Sequence, residues 1–451
     1  MIKKNDRILL TITGMTEEGN GVGRYEGMAV FVPLSAVGDI LNVHVTKVQK
    51  TYAYGIIDEI LTPSPVRLSS DCAVFSKCGG CAFRHMTYEA EKDLKENFVK
   101  DAFLRIGKLE IPFQPILGCD EPDHYRNKAQ YPVAEENGKA VCGFYSRRSH
   151  RVVPFTDCRL QPEVFRTIVD FILEYVNFMQ IPAYSEQAGK GLLRHIYLRR
   201  GYHSGEIMVC FVTARTAKNE FMPLSKLLPE KFSDIKSVVL NVNPQNTNVI
   251  LGRQTHTLWG TDTIRDTMCG NRIELSPQSF YQVNTHQAEK LYGLVAEYAS
   301  LTGSESIMDL YCGAGTIGLS LAKRAKKVIG VEVVPQAIEN AAGNARQNGI
   351  TNMEFLCGDA AQVAVDLAAK GETPDIIIVD PPRKGCDRET LEAVLSMSPA
   401  KFIMVSCNPA TAARDCAHMC ENGYRMVEGR AVDLFPRTGH VETVVLMSRN
   451  I

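Results

Sequence analysis

Ser306-Ile-Met-Asp-Leu310 is a short apolar run that leads straight into Tyr311-Cys-Gly313-Ala-Gly315-Thr-Ile-Gly318-Leu. Glycines at that spacing, between a strand and a helix, let the backbone approach a ligand closely at the helix start. From about residue 285 onward the same order of strand, loop and helix repeats. Such repetition specifies an α/β unit with an open, mostly parallel sheet. In that architecture ligands bind in the crevice beyond the carboxyl ends of the strands. Nineteen residues after Gly313, a second apolar run (328–331) ends in Glu332, placed to hold two ribose hydroxyls. To this point a nicotinamide dinucleotide and S-adenosylmethionine fit equally well.

Later strands separate the two. Phe355-Leu-Cys-Gly-Asp359 puts an acid where an adenine amino group can be read, and Asp375-Ile-Ile-Ile-Val-Asp380-Pro-Pro-Arg383 puts an acid and two prolines at a strand end. An acid followed by Pro-Pro at this fourth-strand position is typical of methyltransferases acting on bases, and a dehydrogenase has no use for it. The apolar run 402–405 closes on Ser406-Cys407-Asn408-Pro409, a buried strand ending at a proline turn. Cys407 there is placed to act as a nucleophile, with a buried structural thiol as the alternative. Asp380 and Cys407 would top neighbouring strands. Farther on, Arg437-Thr-Gly-His440-Val-Glu442 begins a last strand at Val441. Glu442 sits among apolar residues, either salt-bridged at an edge or buried beside the thiol. Burial there would raise its pKa and suit proton abstraction. Upstream, Ser276-Pro-Gln-Ser-Phe280-Tyr-Gln282-Val-Asn284 precedes the unit and is expected to fold over its cofactor.

The 451 residues leave room for two further domains. Residues 1–61 alternate short apolar strands (8–13, 28–33, 40–48 and 53–61) with glycine turns, as in a small OB-like barrel. Gly19-Asn-Gly-Val-Gly23 lies between the first two and leads into a strand, so it reads as a hairpin turn, not a phosphate loop. Cys72-Ala-Val-Phe-Ser-Lys-Cys78-Gly-Gly-Cys81 then packs three thiols into ten residues, and Cys158 is the best fourth partner. Four thiolates suit zinc or an iron–sulfur cluster. The spacing, without two Cys-x-x-Cys knuckles, favours a 4Fe–4S cluster. With every iron capped by cysteine, such a cluster is structural or RNA-positioning. The rest of residues 62–284 is mixed, with helical spacing over 89–107 and strands expected at 129–133, 141–145, 193–199, 207–213 and 237–242. Basic residues gather at Arg147, Arg148, His150, Arg151 and Arg159, then at Arg194, Arg199 and Arg200; with Tyr125, Arg126 and Lys128 they form a candidate phosphate-binding face. Net charge is −1, so any nucleic-acid site is a local patch. The first residues lack the apolar core of a signal peptide, and no run approaches the roughly 18 apolar residues of a membrane span. A cytoplasmic protein is expected.

Together these residues resemble the uridine-C5 RNA methyltransferases, the family of bacterial 23S ribosomal RNA enzymes and the tRNA T-loop enzyme. The likeness runs through a barrel of TRAM type, the four cysteines, Phe280-Tyr-Gln-Val-Asn284, Asp309-Leu-Tyr-Cys-Gly-Ala-Gly315, Asp380-Pro-Pro-Arg383, Ser406-Cys-Asn-Pro409 and His440-Val-Glu442. It implies a Rossmann-like methyltransferase domain at 285–451, behind the TRAM barrel at 1–61 and a mixed α/β central domain at 62–284 carrying a 4Fe–4S cluster. It implies Gln282, Tyr311, Glu332 and Asp380 at an S-adenosylmethionine site, to which the strand-end reading adds Gly313 and Asp359. Cys407 would be the nucleophile and Glu442 the proton acceptor; Cys72, Cys78, Cys81 and Cys158 would bind the cluster. The implied partner is RNA, not DNA or a membrane, and a monomer is expected. Bacterial T-loop enzymes of this family generally lack both barrel and cysteine set, so 23S ribosomal RNA is the expected substrate and tRNA the alternative. Other readings are a cytosine-C5 RNA methyltransferase and a non-catalytic RNA-binding or chaperone protein. Gly439 departs from the pattern, since relatives often carry a bulkier residue there.

Overall fold

The computed structural model describes residues 2–110 and 112–450; Met1, Ile111 and Ile451 lie outside it, and with them the two terminal limits of the expected domains. Strands β1 (Arg7–Met15), β2 (Asn20–Tyr25), β3 (Met28–Pro33), β4 (Ile40–Val48) and β5 (Tyr52–Thr62) close into a barrel in the order β1-β2-β3-β5-β4. Alternation supplies its core: Ile8, Leu10 and Ile12 of β1 meet Leu41, Val43 and Val45 of β4. One element departs from expectation. Residues 20–23 belong to β2, and the turn lies before them at 16–19. The glycines serve packing, because a Cβ on Gly21 would stand 2.0 Å from Ser35 Oγ and one on Gly23 2.5 Å from the Thr11 carbonyl oxygen.

Helix α1 (Tyr88–Ala102) starts at Thr87, whose side chain accepts the Ala90 N–H, and Glu89 and Glu91 suit its first turn. A π-helical turn continues it over Phe103–Gly107. Then follow β6 (Phe113–Leu117), β7 (Lys128–Glu136), β8 (Lys139–Tyr145), β9 (Val152–Pro154), α2 (Glu163–Phe178), β10 (Leu193–Arg200), β11 (Ile207–Thr213), α3 (Lys218–Lys231), β12 (Ile235–Val242) and β13 (Gln254–Gly260). Seven of these strands form a sheet in the order β13-β12-β11-β10-β7-β8-β9. Phe165 and Ile168 of α2 and Phe221 and Leu224 of α3 share a core with Leu198, Val209 and Phe211 of the sheet. Tyr197, Met208 and Cys210 instead join a core shared with the C-terminal half.

A hairpin, β14 (Ile264–Met268) with β15 (Asn271–Leu275), leads to α4 (Thr285–Ala299). The last part alternates β16 (Ser306–Leu310), α5 (Thr316–Ala322), β17 (Lys327–Glu332), α6 (Pro335–Gln347), β18 (Met353–Cys357), α7 (Ala360–Ala369), β19 (Ile376–Val379), α8 (Arg388–Met397), β20 (Lys401–Ser406) and α9 (Pro409–Glu421), ending in β21 (Tyr424–Val432) and β22 (Glu442–Arg449). The sheet order is β18-β17-β16-β19-β20-β22-β21-β6. Its first five strands are parallel, and the chain reverses direction of travel across the sheet between β16 and β19. That switch point opens a crevice at the strands' carboxyl ends. Strand β6, from the stretch expected in the central domain, pairs with β21 as the edge of this sheet. Among the described residues, no helix is long and apolar enough to cross a membrane.

A candidate catalytic cleft

The loop after β16 is a cradle. Gly313 and Gly315 take positive φ values of 54° and 77°, and a Cβ on Gly313 would meet nothing within 4 Å. Glu332, at the end of β17, is pinned by the N–H groups of Gly313 (3.1 Å) and Val334 (2.9 Å). Val333 and Val334 leave apolar surface exposed beside it. Under the loop, buried Asp309 accepts the Gly318 N–H at 3.0 Å through Oδ2, while Oδ1 has no partner. An open glycine loop, an orphaned buried carboxylate oxygen and a fixed acid beside apolar surface fit a nucleoside cofactor. Asp359 is exposed, and its Oδ1 caps α7 through Ala361 and Gln362. The Tyr311 hydroxyl lies 3.2 Å from Thr390 Oγ1, towards α8. Gln282 is held by its backbone, its carbonyl accepting Asn127 Nδ2 at 2.7 Å.

Cys407, Asp380 and Glu442 come together at the ends of adjoining strands. β19 and β20 are parallel, and Ser406 pairs with Thr443 across β20 and β22. Asn408 caps α9 through the Ala410 N–H, with Pro409 in its first turn, so Cys407 immediately precedes a helix N-terminus. Asn408 Nδ2 also donates to the Arg383 carbonyl at 2.9 Å, joining the cysteine turn to the Asp380-Pro-Pro-Arg383 turn. Burial sets the protonation, with the neighbouring acids adding to it. Burial pushes Cys407 up to about 11, with Glu442 and Asp380 adding to it and Arg383 opposing. Burial also raises Glu442 to about 8, again with Asp380 for it and Arg383 against it. Asp380 is pushed up to about 7 by burial. Asp380 and Glu442 are thereby brought towards neutral pH, the range in which a carboxylate suits acid–base chemistry.

Cys407 opens into a cleft of about 790 Å³. Glu17, Glu18 and Tyr54 of the barrel region, Gly80 and Cys81, and His440 line it. Four arginines also face it: Arg126, Arg147, Arg148 and Arg383. Gly439 explains its own small size, because a Cβ there would fall 1.7 Å from the Glu17 carbonyl oxygen. The barrel turn is therefore seated directly on the segment that leads to Glu442. Two arginines of the expected basic face, Arg194 and Arg199, are not available to RNA. Arg199 and Arg194 are buried; Arg199 holds the carbonyls of Ser276 and Ser279, and Arg194 those of Asn243 and Gln245. Carbonyls at those bends need donors, and a guanidinium supplies several at once.

Cys158, distant in sequence, joins Cys72, Cys78 and Cys81 around one cavity of about 100 Å³. Burial pushes Cys81 up to about 11 and Cys158 up to about 12, while neighbouring Arg84 lowers the first and Arg126 the second. The Gly80 N–H points to Cys78 Sγ at 3.3 Å. Among the described residues, no three His, Cys, Asp or Glu side chains close into a group that could hold a metal ion. Soft donors around a void, with N–H and guanidinium groups turned toward them, fit an anionic thiolate-bound centre.

Two features lay beyond sequence reasoning. Arg383 is the cation that faces both Cys407 and Glu442, and its only signal was adjacency to Asp380-Pro-Pro. The segment 433–440 is gripped by distant residues. Lys95 Nζ, fully buried, reaches Glu91 Oε1 (2.8 Å), Asp433 Oδ1 (2.7 Å) and the Phe435 carbonyl (3.1 Å). Glu91 Oε1 accepts the Arg437 N–H at 2.6 Å, the Arg437 carbonyl accepts the Ala82 N–H at 2.7 Å, and Tyr125 donates to the Pro436 carbonyl at 2.9 Å.

Comparison with known proteins agrees with this layout. The family described as tRNA (uracil-5-)-methyltransferase matches residues 87–450, and the TRAM domain matches residues 3–57. An uncharacterized RNA methyltransferase of Halalkalibacterium halodurans is 43% identical over 451 residues, covering 99% of this chain and 98% of its own. Another, of Clostridium tetani, is 41% identical over 447 residues, covering 99% and 97%. Among solved structures, the Pyrococcus abyssi tRNA (uracil-54, C5)-methyltransferase in complex with S-adenosyl-L-homocysteine matches with a TM-score of 0.78 and 28% identity, over 97% of this chain and 99% of its own.

Proposed function

Because the chain belongs to the tRNA (uracil-5-)-methyltransferase family and is an S-adenosylmethionine-dependent RNA uracil-5 methyltransferase, we propose that it methylates C5 of a uridine in 23S ribosomal RNA through Cys407 and Glu442. The observation that carries the reading is the meeting of Cys407, Asp380 and Glu442 at adjoining strand ends, with Cys407 opening on an arginine-lined cleft. Uracil C5 is a poor nucleophile on its own. Addition of the Cys407 thiolate to C6 moves an electron pair through the ring and makes C5 an enolate carbon. Bound S-adenosylmethionine would supply a sulfonium methyl group to C5, with the thioether S-adenosylhomocysteine as the leaving group. Glu442 then removes the C5 proton, and the returning electron pair expels the Cys407 thiolate. Arg383 favours the charged forms of both Cys407 and Glu442, as an adjacent cation must. A uridine in a paired or stacked strand cannot reach Cys407, so the base flips into the cleft, with Arg126, Arg147 and Arg148 holding phosphates. Gln282, Tyr311, Gly313, Glu332, Asp359 and Asp380 form the S-adenosylmethionine site in this reading.

Cys72, Cys78, Cys81 and Cys158 hold a 4Fe–4S cluster in the same proposal. A single zinc, with Zn–S of about 2.3 Å, would draw four sulfurs to within about 3.8 Å of one another. Thiols ranged around a void suit a larger centre. With four cysteine ligands the cluster keeps no open iron, so its part is to shape the cleft wall made by Gly80 and Cys81.

The combination of barrel and cysteine set on one cleft supports ribosomal RNA. A second reading, tRNA, is favoured by the likeness to the Pyrococcus abyssi tRNA enzyme, which extends over 97% of this chain and so includes the barrel. Methyl transfer from labelled S-adenosylmethionine to unmodified 23S ribosomal RNA and tRNA transcripts, followed by nucleoside analysis, separates them. Label in 5-methyluridine of the ribosomal transcript alone supports the proposal. Label in tRNA moves the same chemistry to the second reading, and label in neither rules out both substrates.

A further inference from the structure

A second cavity, of about 660 Å³, opens beside the central sheet, apart from the cleft that holds Cys407. Its size lies within the roughly 300–1,000 Å³ of small-molecule sites. Its walls come from β7, from Tyr145 and His150 around the turn 146–151, from the loop 183–187, and from Arg194 and His195 at the bulged start of β10. Two tyrosines and two histidines, Tyr145, Tyr184, His150 and His195, stand among its lining residues. Tyr145 and His150 stack with ring centroids 5.3 Å apart and planes 24° from parallel. Arg194 lies over the Tyr184 ring at 4.5 Å. Such faces accept planar ligands.

Polar groups select among planar ligands. Glu186 places Oε2 3.1 Å from His150 Nδ1 and Oε1 3.9 Å from Arg194 Nη2, and Glu135 adds a second carboxylate. Among the described lining residues, Arg194 is the one Arg or Lys, and its Nη1 is committed to the Asn243 and Gln245 carbonyls. Two carboxylates against one occupied guanidinium disfavour a phosphate and favour N–H donors. His195 is 6% exposed, and its buried Nδ1 has no hydrogen-bond partner. Burial, with Arg194 adding to it, holds its imidazole neutral, pushing the pKa down to about 4. A buried nitrogen left unpaired in a polar pocket points to a missing partner. Guanine matches the remaining geometry by its edge. It alone among the four RNA bases presents two adjacent N–H donor groups, N1–H and N2–H₂, which meet the two oxygens of one carboxylate.

The pocket also lies within reach of an RNA in the cleft. Arg147 and Arg148, on the turn 146–151, face the cleft, whereas Tyr145 and His150, at its two ends, face the pocket. The Gly79 N–H donates to the Tyr145 carbonyl at 2.9 Å, which fixes the turn to the cysteine segment. We propose that this pocket takes an unpaired guanine of the RNA substrate, stacked against Tyr184 and read through its N–H edge by Glu186. A base anchored there sets the register of the strand, so that one uridine and not its neighbour lies over Cys407. The inference rests on the RNA-methyltransferase reading above and adds a specificity site to it.

Fluorescence anisotropy of labelled 23S ribosomal RNA and tRNA transcripts tests it, with the full chain as wild type, Tyr184→Ala, Glu186→Gln and the exposed-turn variant His150→Ala. S-adenosylhomocysteine affinity, measured in parallel, identifies any variant that fails to fold. Tyr184→Ala is expected to weaken binding about tenfold, the scale of one lost base–aromatic stack. Inosine, which lacks the exocyclic amine, is expected to weaken wild-type binding at one unpaired guanosine position and to have no further effect in Glu186→Gln. Folded variants that bind the transcript within twofold of wild type, with no inosine-sensitive position, overturn the pocket while leaving methylation intact. A wild type that binds these transcripts yet methylates neither overturns the proposed substrates, and the pocket is then judged on the same binding ratios. A wild type that binds no RNA overturns both.

Discussion

Burial raises the proton affinity of both Cys407 and Glu442, and that shift has measurable consequences. Glu442 in the folded protein is raised to about 8, against about 4.3 for a glutamate in an unfolded chain. The folded state therefore holds the proton more tightly. The resulting cost to stability is absent below about pH 4, grows as pH rises, and is complete above about pH 8. Glu442→Gln removes it, so the variant is expected to be more stable than wild type by roughly 2–5 kcal/mol at pH 9 and equal to it at pH 4. Urea unfolding at both pH values reads this directly; a pH-independent difference would contradict the raised pKa of Glu442. The same variant is expected to stall chemistry after methyl transfer. Denaturing gels with labelled RNA should show a covalent RNA–protein band in Glu442→Gln and none in Cys407→Ala. Release of methylated product by Glu442→Gln at the wild-type rate would mean that another group takes the proton.

Among elements, the connector from β21 to β22 leads to Glu442, the proposed proton acceptor, and it is held by α1. Lys95, Glu91 and Asp433 are all fully buried. Removing the cation leaves two carboxylates without it in a water-free site. Lys95→Met is thus expected to cost about 3–5 kcal/mol, the usual penalty for breaking a buried ion pair, and denaturant melts of the two proteins give the value. Gly439→Ala is expected to spare S-adenosylhomocysteine binding and to weaken RNA binding, because its methyl group displaces the barrel turn at Glu17; equal RNA affinity would show that the barrel yields freely. The sequence announces neither contact, since Lys95 and Asp433 stand 338 residues apart. Legibility followed locality. β16, β20 and the turn at Cys407 were readable because a continuous apolar run closed by glycine or proline has few other structures. β2 was not, because glycines that let strands pack closely look like a turn. β6 was missed as part of the catalytic sheet because pairing to a strand more than three hundred residues later leaves no local pattern. Arg194 and Arg199 looked like phosphate ligands because charge says nothing about burial.

For the molecule as a whole, barrel, cysteine segment and catalytic sheet meet on a single cleft, and the cysteine segment is the joint between them. Gly80 and Cys81 line both the cleft and the four-cysteine cavity. Immediately after them, the N–H groups of Ala82 and Phe83 donate to the Arg437 carbonyl at 2.7 and 3.2 Å, five residues before Glu442. A centre bound by the four thiols would therefore brace the connector as well as the cleft wall. Burial raises Cys78, Cys81 and Cys158 above an ordinary thiol, so without a positive centre all three stay protonated at neutral pH. Binding such a centre must release protons, and acid must eject it. Anaerobically purified protein is expected to carry about four irons and four inorganic sulfides per chain, with broad visible absorption that disappears on oxidation or below about pH 5. Cys158→Ala is expected to lose that absorption and to weaken RNA binding while keeping affinity for S-adenosylhomocysteine, whose proposed cradle at Gly313 and Glu332 lies on another part of the fold. Metal analysis decides the matter: one zinc per chain, or colourless protein with full RNA affinity, would assign the four cysteines to a different role.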